Sequence, residues 1–309
     1  MFVYDEDTQD NTRFVTSILA EDLTDEHTIE IGDYAFFGYS KLVSVELAGN
    51  VTKVGASAFS GCVALESFVF EDGAPSLLTT IGEYAFYECE SLERVALGQN
   101  LSRIGSGAFG GCRSLERVNF AGTVKQWSQI VFERYNNQII ETSNPLYYAH
   151  RLFVCGEELI EIEAEDLAGI TSICEIAFIN CASLESVKIP ASVTTIGACV
   201  FKGCTNMREL VIEKNVEEVG NSAFDNCTSL EHILILCQDV SFVNAFDDCN
   251  AVEKVFYIGT AQEWINKNGN LFNSAVMCYY RETSEGLTPE YNGRYWHFDG
   301  NGNPVVWIV

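Results

Sequence analysis

The sequence is poor in the features that most enzymes and membrane proteins need. It has four histidines in 309 residues and no GxSxG, HExxH or phosphate-binding glycine-loop motif, so no motif supports catalysis. No apolar run reaches the roughly 18 residues that a membrane-spanning helix requires, and no CxxC pair offers the usual zinc spacing. We therefore expect no enzymatic activity, no cofactor, no metal site and no membrane insertion.

Positive charge is also scarce. Lys and Arg number 18 against 44 for Asp and Glu, which gives a net charge of −26. Such a surface repels phosphate backbones and anionic lipids, so we expect no nucleic-acid partner. A basic partner is compatible with this charge, although solubility explains it equally well. The first residues, MFVYDEDTQDNTRF, are acidic where a signal peptide would be basic and then apolar, which leaves a cytoplasmic protein and a mature segment with an added Met both open.

What the sequence contains in abundance is one repeated motif. Each copy has an apolar residue followed by Gly in all but one case, a small residue followed by Phe, a turn residue usually followed by Cys, and a pattern close to LxxVxL. The copies begin at Ile31, Val54, Ile81, Ile104, Ile173, Ile196 and Val219. Their spacings are 23, 27, 23, 69, 23 and 23 residues, and 69 is three periods of 23. A fixed period of this length predicts a solenoid, because no copy can bury its apolar face alone.

The pattern within each copy predicts its local structure. The last two apolar positions of LxxVxL alternate with other residues, which is typical of a short half-buried strand, and one such strand per coil stacks into a parallel sheet. The residue before the Cys is Gly, Asn or Asp in nearly every copy and Glu88 in one. Gly, Asn and Asp adopt left-handed backbone at little cost. We therefore expect a turn there that ends a helical stub over the small-Phe pair.

The sequence contains twelve cysteines, which raises the question of disulfides or metal. Seven of them share the motif position after the turn: Cys62, Cys89, Cys112, Cys181, Cys204, Cys227 and Cys249. A small apolar side chain suits this position, and a buried thiol behaves as a small hydrophobe. We expect a ladder of buried, reduced cysteines. Disulfides between coils and a metal site are the alternatives, but a regular ladder gives no reason for pairing.

Two segments interrupt the repeats in the same way. In the first, Thr123 precedes Gln126 and Trp127, and in the second Thr260 precedes Glu263 and Trp264. A Thr with Gln or Glu three residues later is a helix capping box. We therefore expect short helices whose Trp side chains pack on the solenoid.

We expect the chain to form a single domain over residues 1–309. Its parts are an amphipathic N-terminal cap (1–30), a first repeat array (31–120), a helical insert with a degenerate coil (121–165), a second array (166–258), a second helical insert (259–280) and a C-terminal hairpin cap (281–309). The degenerate coil has Leu159, Ile162 and Ala164 in the strand positions. In the C-terminal cap, Trp296 and Phe298 on one strand, Trp307 on the other and a Gly-Asn-Gly turn predict a hairpin.

The set of apolar-Gly, Ala-Phe, Gly-Cys and LxxVxL closely resembles the leucine-rich repeat of the BspA type, over residues 31–120 and 166–258. The resemblance implies an α/β repeat fold, a curved leucine-rich-repeat solenoid. Together with the repeats it predicts one parallel sheet of about nine short strands, with irregular coils and short helices on the other faces. For function it implies a bacterial cell-surface or secreted adhesin-like protein that binds a protein or glycan partner on its concave sheet face.

We therefore expect the exposed sheet face to bind the partner. The side chains between the two buried positions of each strand form a row that becomes apolar toward its C-terminal end, and an apolar strip with polar edges is typical of a protein-binding surface. The candidate residues are Glu209, Val211, Glu213, His232, Leu234, Lys254 and Phe256. The second insert or the C-terminal hairpin folding over this strip is the open alternative.

The leading hypothesis is a monomeric, non-enzymatic recognition module at the cell surface or outside the cell. The alternative is a cytoplasmic structural or scaffold repeat protein of unknown partner. A row of outward acidic residues, including Glu93 and Glu116, also raises a calcium site as a minor hypothesis, although like charges one coil apart repel.

Overall fold

The computed structural model describes residues 17–20, 29–70, 76–242, 244–269, 271–272, 275–281, 294–301 and 303–306. The strands of this part, in chain order, are β1 (Ser17–Ile18), β2 (Ile29–Ile31), β3 (Ser44–Leu47), β4 (Val51–Val54), β5 (Ser67–Phe70), β6 (Thr80–Ile81), β7 (Arg94–Leu97), β8 (Arg103–Ile104), β9 (Arg117–Phe120), β10 (Val131–Phe132), β11 (Leu152–Val154), β12 (Glu157–Glu158), β13 (Glu161–Ile162), β14 (Ser172–Ile173), β15 (Ser186–Ile189), β16 (Thr195–Ile196), β17 (Glu209–Ile212), β18 (Glu218–Val219), β19 (His232–Ile235), β20 (Lys254–Tyr257), β21 (Val276–Tyr280), β22 (Tyr295–Phe298) and β23 (Pro304–Val306). The helices are α1 (Val124–Trp127), α2 (Leu146–Ala149) and α3 (Ala261–Asn268), with short 3-10 helices at Glu141–Ser143 and Ala164–Leu167.

The chain folds into two compact units, which we call unit 1 (Met1–Gly122 and Ile130–Glu157) and unit 2 (Thr123–Gln129 and Glu158–Val309). Unit 1 has the sheet β1-β3-β5-β7-β9-β11, with β12 at its end, and a second sheet β10-β8-β6-β4-β2. Unit 2 has the sheet β13-β15-β17-β19-β20-β21-β22-β23 and a second sheet β14-β16-β18. Successive coils pair in parallel and in register, so each unit is a parallel solenoid. This confirms the leucine-rich-repeat fold expected from the sequence, whereas the single domain over 1–309 stays a prediction.

Most coils contribute two strands, where the sequence predicted one. The LxxVxL strand joins the long sheet of its unit, and the chain then turns to form a second strand that ends on the apolar residue opening the next motif, as in β4, β6 and β8. Among the described residues, no such second strand follows β19 or β20. Apart from β4, which has four residues, the second strands have only two, which is too short to show the alternation by which the first strands are recognised.

The glycine after β4 and β6 is explained by contact with the neighbouring coil. A Cβ on Gly82 would lie 2.5 Å from the amide nitrogen of Ala56, and a Cβ on Gly55 would lie 2.5 Å from that of Asp33. In the first coil, by contrast, a Cβ on Gly32 would have nothing within 4 Å among the described residues. Glycine is therefore needed at Gly55 and Gly82, where one motif copy stacks on the copy before it.

The turn before each Cys has the predicted left-handed backbone. This conformation occurs at Gly38, Gly61, Glu88, Gly111, Asn180, Gly203, Asn226 and Asp248. Glu88 therefore adopts the same left-handed backbone as the Gly, Asn and Asp residues at this position. A second left-handed residue precedes each small-Phe pair, as at Tyr84 (φ 53°) and Cys199 (φ 54°). The predicted helical stub is wrong, because two left-handed residues so close together cannot be part of a helix. The segment is a turn whose amides bond to the next coil, as Phe59 N does to Ala85 O at 2.8 Å.

The core of each unit contains a ladder of stacked phenylalanine rings. In unit 1 the ring of Phe59 lies 5.5 Å from that of Phe86 with an interplanar angle of 5°. In unit 2 the rings of Phe178 and Phe201 lie 5.3 Å apart at 3°. One aromatic side chain per coil thus forms a continuous apolar column that only stacking can bury.

The motif cysteines are buried, as predicted, but they are more than small hydrophobes. The Sγ of Cys204 donates to the carbonyl oxygen of Phe178 at 3.3 Å, and the Sγ of Cys227 donates to that of Phe201 at 3.3 Å. The same bond to the preceding coil is made by Cys62, Cys89, Cys112 and Cys249. Burial raises the pKa of Cys62, Cys89, Cys112, Cys204 and Cys227, to about 12 for Cys112. They therefore remain protonated donors at neutral pH.

The middle of the chain departs from the predicted single sheet. The strand β11 joins β9 of unit 1, with Leu152 opposite Val118, so the long strands form two separate sheets. In the degenerate coil, Leu159 and Ile162 are buried as predicted. The prediction that Ala164 occupies a strand is wrong, because a 3-10 helix begins there, and the backbone N of Glu163 donates to the Asp166 carboxylate at 2.9 Å.

The predicted inserts and the C-terminal hairpin are present. Helices α1 and α3 begin at the Thr capping boxes, and both Trp side chains are buried. The indole Nε1 of Trp127 donates to Ala177 O at 2.7 Å. Strands β22 and β23 form the antiparallel hairpin, although Trp307 lies outside the described residues. Of the N-terminal cap, the structure describes residues 17–20 and 29–30, where Ile18 is buried.

Candidate partner-binding surface

The candidate residues lie on or directly after β17, β19 and β20, three neighbouring strands of the long sheet in unit 2. The second and fourth residues of each strand are buried, and the first and third face outward. Val211 lies opposite Leu234, and Leu234 lies opposite Phe256. The structure therefore brings these three side chains into one row, with steps of about 4.8 Å between strands. All three are half-buried.

A column of charged and polar side chains lies beside this apolar row. Glu209 pairs with His232, and His232 pairs with Lys254. Each of these residues lies two positions before the apolar residue of its strand, so the column is about 7 Å from the row. Glu213 follows β17 on the other side of Val211 and is half-buried. The apolar row thus has edges that carry both signs of charge.

Trp296 closes one end of the row. It is buried, its ring lies 5.8 Å from that of Phe256, and its Nε1 donates to Tyr257 O at 3.0 Å. Cys278, which pairs with Phe256 on the same face, is also buried, and this burial raises the pKa of its thiol to about 11. The C-terminal hairpin therefore packs against the row at Phe256.

A salt bridge marks the other end. Lys188 lies opposite Val211, and its Nζ lies 2.8 Å from the Glu163 carboxylate in an exposed ion pair. Hydrogen bonding to this carboxylate raises the pKa of Lys188. The outward row in unit 2 therefore runs from a charged end at Lys188 to an aromatic end at Phe256.

The comparisons with known proteins agree with this architecture. The model for the BspA type leucine-rich repeat region matches six copies, over residues 11–139 and 151–268. The chain belongs to this family. No curated protein matches the chain.

Solved structures include similar leucine-rich repeat proteins. One is TpLRR of T. pallidum, which is 27% identical; the match covers 65% of this chain and 71% of TpLRR, with a TM-score of 0.35. A second, from Eubacterium ventriosum, is 20% identical, and the match covers 75% of this chain and 64% of that protein, with a TM-score of 0.44. A third, a leucine-rich cell surface protein of Faecalibacterium prausnitzii, is 19% identical, and the match covers 78% of this chain and 86% of that protein, with a TM-score of 0.34.

The BspA-type motif alone does not reveal the aromatic cluster at the end of the row. Trp296 also contacts Tyr280 and Phe298, with ring centroids 5.2 Å and 4.9 Å away. The alternation of Trp296 and Phe298 on one strand face is the signal for this cluster in the sequence, and it predicts a C-terminal cap, with the hairpin folding over the strip as the open alternative. In unit 1, Phe153 lies opposite Asn119 on the outward face, and the repeat motif does not reveal it.

The outward side chains of β17, β19 and β20 offer contacts to a binding partner. Across the ranges that the structure describes, no group of three or more His, Cys, Asp or Glu could hold a metal ion. Within the same ranges, no helix has the length and apolar character needed to cross a membrane. What the surface presents is a short apolar row with charged edges, which suits contact with another macromolecule.

Proposed function

We propose that this member of the BspA-type leucine-rich repeat family is a non-enzymatic recognition module that binds a macromolecular partner on the long sheet of unit 2. The observation that supports this most directly is the row Val211, Leu234 and Phe256, held in register on three adjacent strands. Rigid strands fix the side chains of such a row before binding, so little conformational entropy is lost when a partner docks. The apolar row favours a protein over a glycan.

The charged column sets the chemistry that the partner must match. Glu209 and Glu213 lie on either side of Val211, whereas His232 and Lys254 lie beside Leu234 and Phe256. A partner with basic side chains near the glutamates and an apolar centre complements this pattern. The overall charge of −26 favours a basic partner at long range as well.

We further propose that the protein acts at the cell surface or outside the cell, as the family resemblance suggests. The alternative is a cytoplasmic scaffold built from the same repeats. Fractionation of the native organism, with an antibody against this chain, separates the two. Recovery only in the cytosol would rule out the surface role.

The binding proposal is tested by placing a charge in the row. Immobilised wild-type protein and its variants Val211→Glu and Leu234→Glu are exposed to an extract of host extracellular matrix. We expect both variants to lose a protein that the wild type retains, because a carboxylate there would be desolvated without a partner.

Thr195→Glu is the matched control, since it places the same charge on β16, in the other sheet of unit 2. It should capture the partner as the wild type does. Circular dichroism checks that each variant is folded. Equal capture by the wild type and both row variants would contradict the proposal.

A further inference from the structure

Unit 1 carries aromatic side chains at the turns that surround the small-Phe pairs. Two positions are involved, the left-handed residue before each pair and the residue after it. In four successive coils these positions hold Tyr34 with Phe37, Ser57 with Ser60, Tyr84 with Tyr87, and Gly107 with Gly110. Large and small residues thus alternate from coil to coil. We call Tyr34, Phe37, Tyr84 and Tyr87 the aromatic ridge.

Neither the repeat motif nor the core requires these aromatic residues. At the equivalent positions of unit 2 no aromatic residue occurs, as at Cys199 and Lys202. Tyr34 and Phe37 are 63% and 57% exposed, more than any other large apolar side chain in the described ranges. Aromatic side chains that are exposed in this way are typical of a binding surface.

Each aromatic pair forms the two walls of a notch. The rings of Tyr84 and Tyr87 have centres 5.5 Å apart and meet at an angle of 82°. Those of Tyr34 and Phe37 have centres 5.9 Å apart and meet at 60°. Two rings at such steep angles leave a space between them for a small apolar group.

The next coil holds the second pair of rings in place. A Cβ on Gly107 would lie 2.7 Å from Cε1 of Tyr84, and a Cβ on Gly110 would lie 2.9 Å from Cδ2 of Tyr87. The two glycines therefore leave the room in which these rings pack. The notch between Tyr84 and Tyr87 is thus organised before any ligand arrives, which reduces the entropy lost on binding.

The two notches lie two coils apart. The turns of these coils stack through backbone hydrogen bonds, from Tyr34 N to Ala56 O at 2.9 Å and from Ser57 N to Glu83 O at 2.8 Å. At about 4.8 Å for each hydrogen-bonded step, the notches are roughly 10 Å apart. A polyproline II helix has three residues per turn and rises about 3.1 Å per residue, so it repeats about every 9.3 Å. One turn of such a helix therefore matches the distance between the notches.

Carboxylates lie beside the aromatic ridge. Glu83 directly precedes Tyr84, and Glu88 directly follows Tyr87. Across the described ranges, neither glutamate has an ion pair within 4.0 Å. Burial raises the pKa of Tyr84, and the negative charge of Glu83 raises it further. This negative field attracts Lys and Arg side chains, which aromatic rings also attract.

We propose that the aromatic ridge is a second binding site that takes a basic, proline-rich polypeptide segment in the polyproline II conformation. Proline rings from successive turns lie in the two notches, and the Lys or Arg side chains between them pair with Glu83 and Glu88. Such a segment is already extended before binding, so it loses little conformational entropy. This site is separate from the row in unit 2, and a variant such as Leu234→Glu therefore leaves it intact.

The test uses a labelled peptide of repeated Pro-Pro-Lys, about twelve residues long so that it spans both notches at about 3.1 Å per residue. Fluorescence anisotropy with the full chain, in about 0.15 M salt, measures its binding. We expect Tyr84→Ser combined with Tyr87→Ser to weaken binding at least about tenfold, because one notch is lost. This double variant should fold, since Ser57, at φ 51°, and Ser60 occupy the same positions in the preceding coil.

The charge preference is tested with other peptides and a second double variant. A Gly-Ser-Lys peptide of the same length and charge should bind at least about tenfold more weakly, because it is flexible. A Pro-Pro-Glu peptide should not bind. Glu83→Gln combined with Glu88→Gln should weaken the binding of the Pro-Pro-Lys peptide, since the carboxylates that pair with its Lys side chains are lost.

Ile265→Ser is the matched control, because it removes a similarly exposed apolar side chain from α3 in unit 2. It should bind the peptide as the wild type does, and circular dichroism checks that each variant is folded. The proposal is overturned if the wild type does not bind the Pro-Pro-Lys peptide, if either double variant binds it equally well, or if the Gly-Ser-Lys peptide binds as tightly. Binding of chitin oligosaccharides in place of the peptide would also overturn it, since that result would indicate a neutral glycan.

Discussion

Replacing Gly82 by Ala tests why glycine follows the second strand in most motif copies. The added Cβ would lie 2.5 Å from Ala56 N, 2.6 Å from Gly55 C and 2.8 Å from Gly55 O. All three atoms belong to backbone, and Gly82 N itself donates to Val54 O at 2.8 Å. Neither partner can therefore rotate away, and the two coils must separate locally.

The expected magnitude follows from two opposing effects. Overpacking that moves backbone costs about 1–3 kcal/mol, whereas Gly→Ala stabilises by about 0.4–1 kcal/mol through the unfolded chain when the site has room. For Gly82→Ala the first effect dominates, and we expect a loss of about 2 kcal/mol in the free energy of unfolding. For Gly32→Ala, with nothing within 4 Å in the described structure, only the second remains, so we expect a gain of about 0.5 kcal/mol.

Urea unfolding followed by circular dichroism measures both variants beside the wild type. The two substitutions are chemically identical and occupy the same motif position, so intrinsic propensity cancels between them. Shifts of the same sign, or shifts that agree within about 0.5 kcal/mol, would show that contact with the preceding coil is not what requires glycine.

Three further predictions concern a buried tryptophan and the cysteines. Trp127→Phe should lower the free energy of unfolding by about 1–3 kcal/mol, because Ala177 O loses its buried donor, and Trp264→Phe should cost less in the same urea titration. A thiol reagent at pH 8 should label the exposed Cys155 first and Cys204 only on unfolding, and Cys155→Ser should remove the fastest phase. Burial raises the pKa of Cys62 and Cys112 from 9.0 to about 12. The stability that these protonated thiols contribute should therefore be complete below pH 9 and decrease as the pH rises toward 12. The free energy of unfolding, measured by urea titration at several alkaline pH values, checks this.

The candidate surface could be predicted only in part. The row Val211, Leu234 and Phe256 follows from the repeat, because parallel pairing in register places equivalent residues side by side. The position of Trp296 against Phe256 does not follow from it, since the hairpin lies well beyond the last repeat in the chain.

The sequence by itself determined the repeating unit: its period, the long parallel strands, the left-handed turn wherever Gly, Asn or Asp precedes the Cys, the buried cysteines and the capped inserts. The period follows from comparing the copies, whereas the other features depend on local backbone preference or on apolar positions within each copy or insert. Only the tertiary structure decided the second strand that most coils form, the glycine that stacking requires after β4 and β6, and the thiol bonds to Phe carbonyls. It also decided which side chains meet on the outward faces. These features depend on the distance between neighbouring coils, which no single copy of the motif encodes.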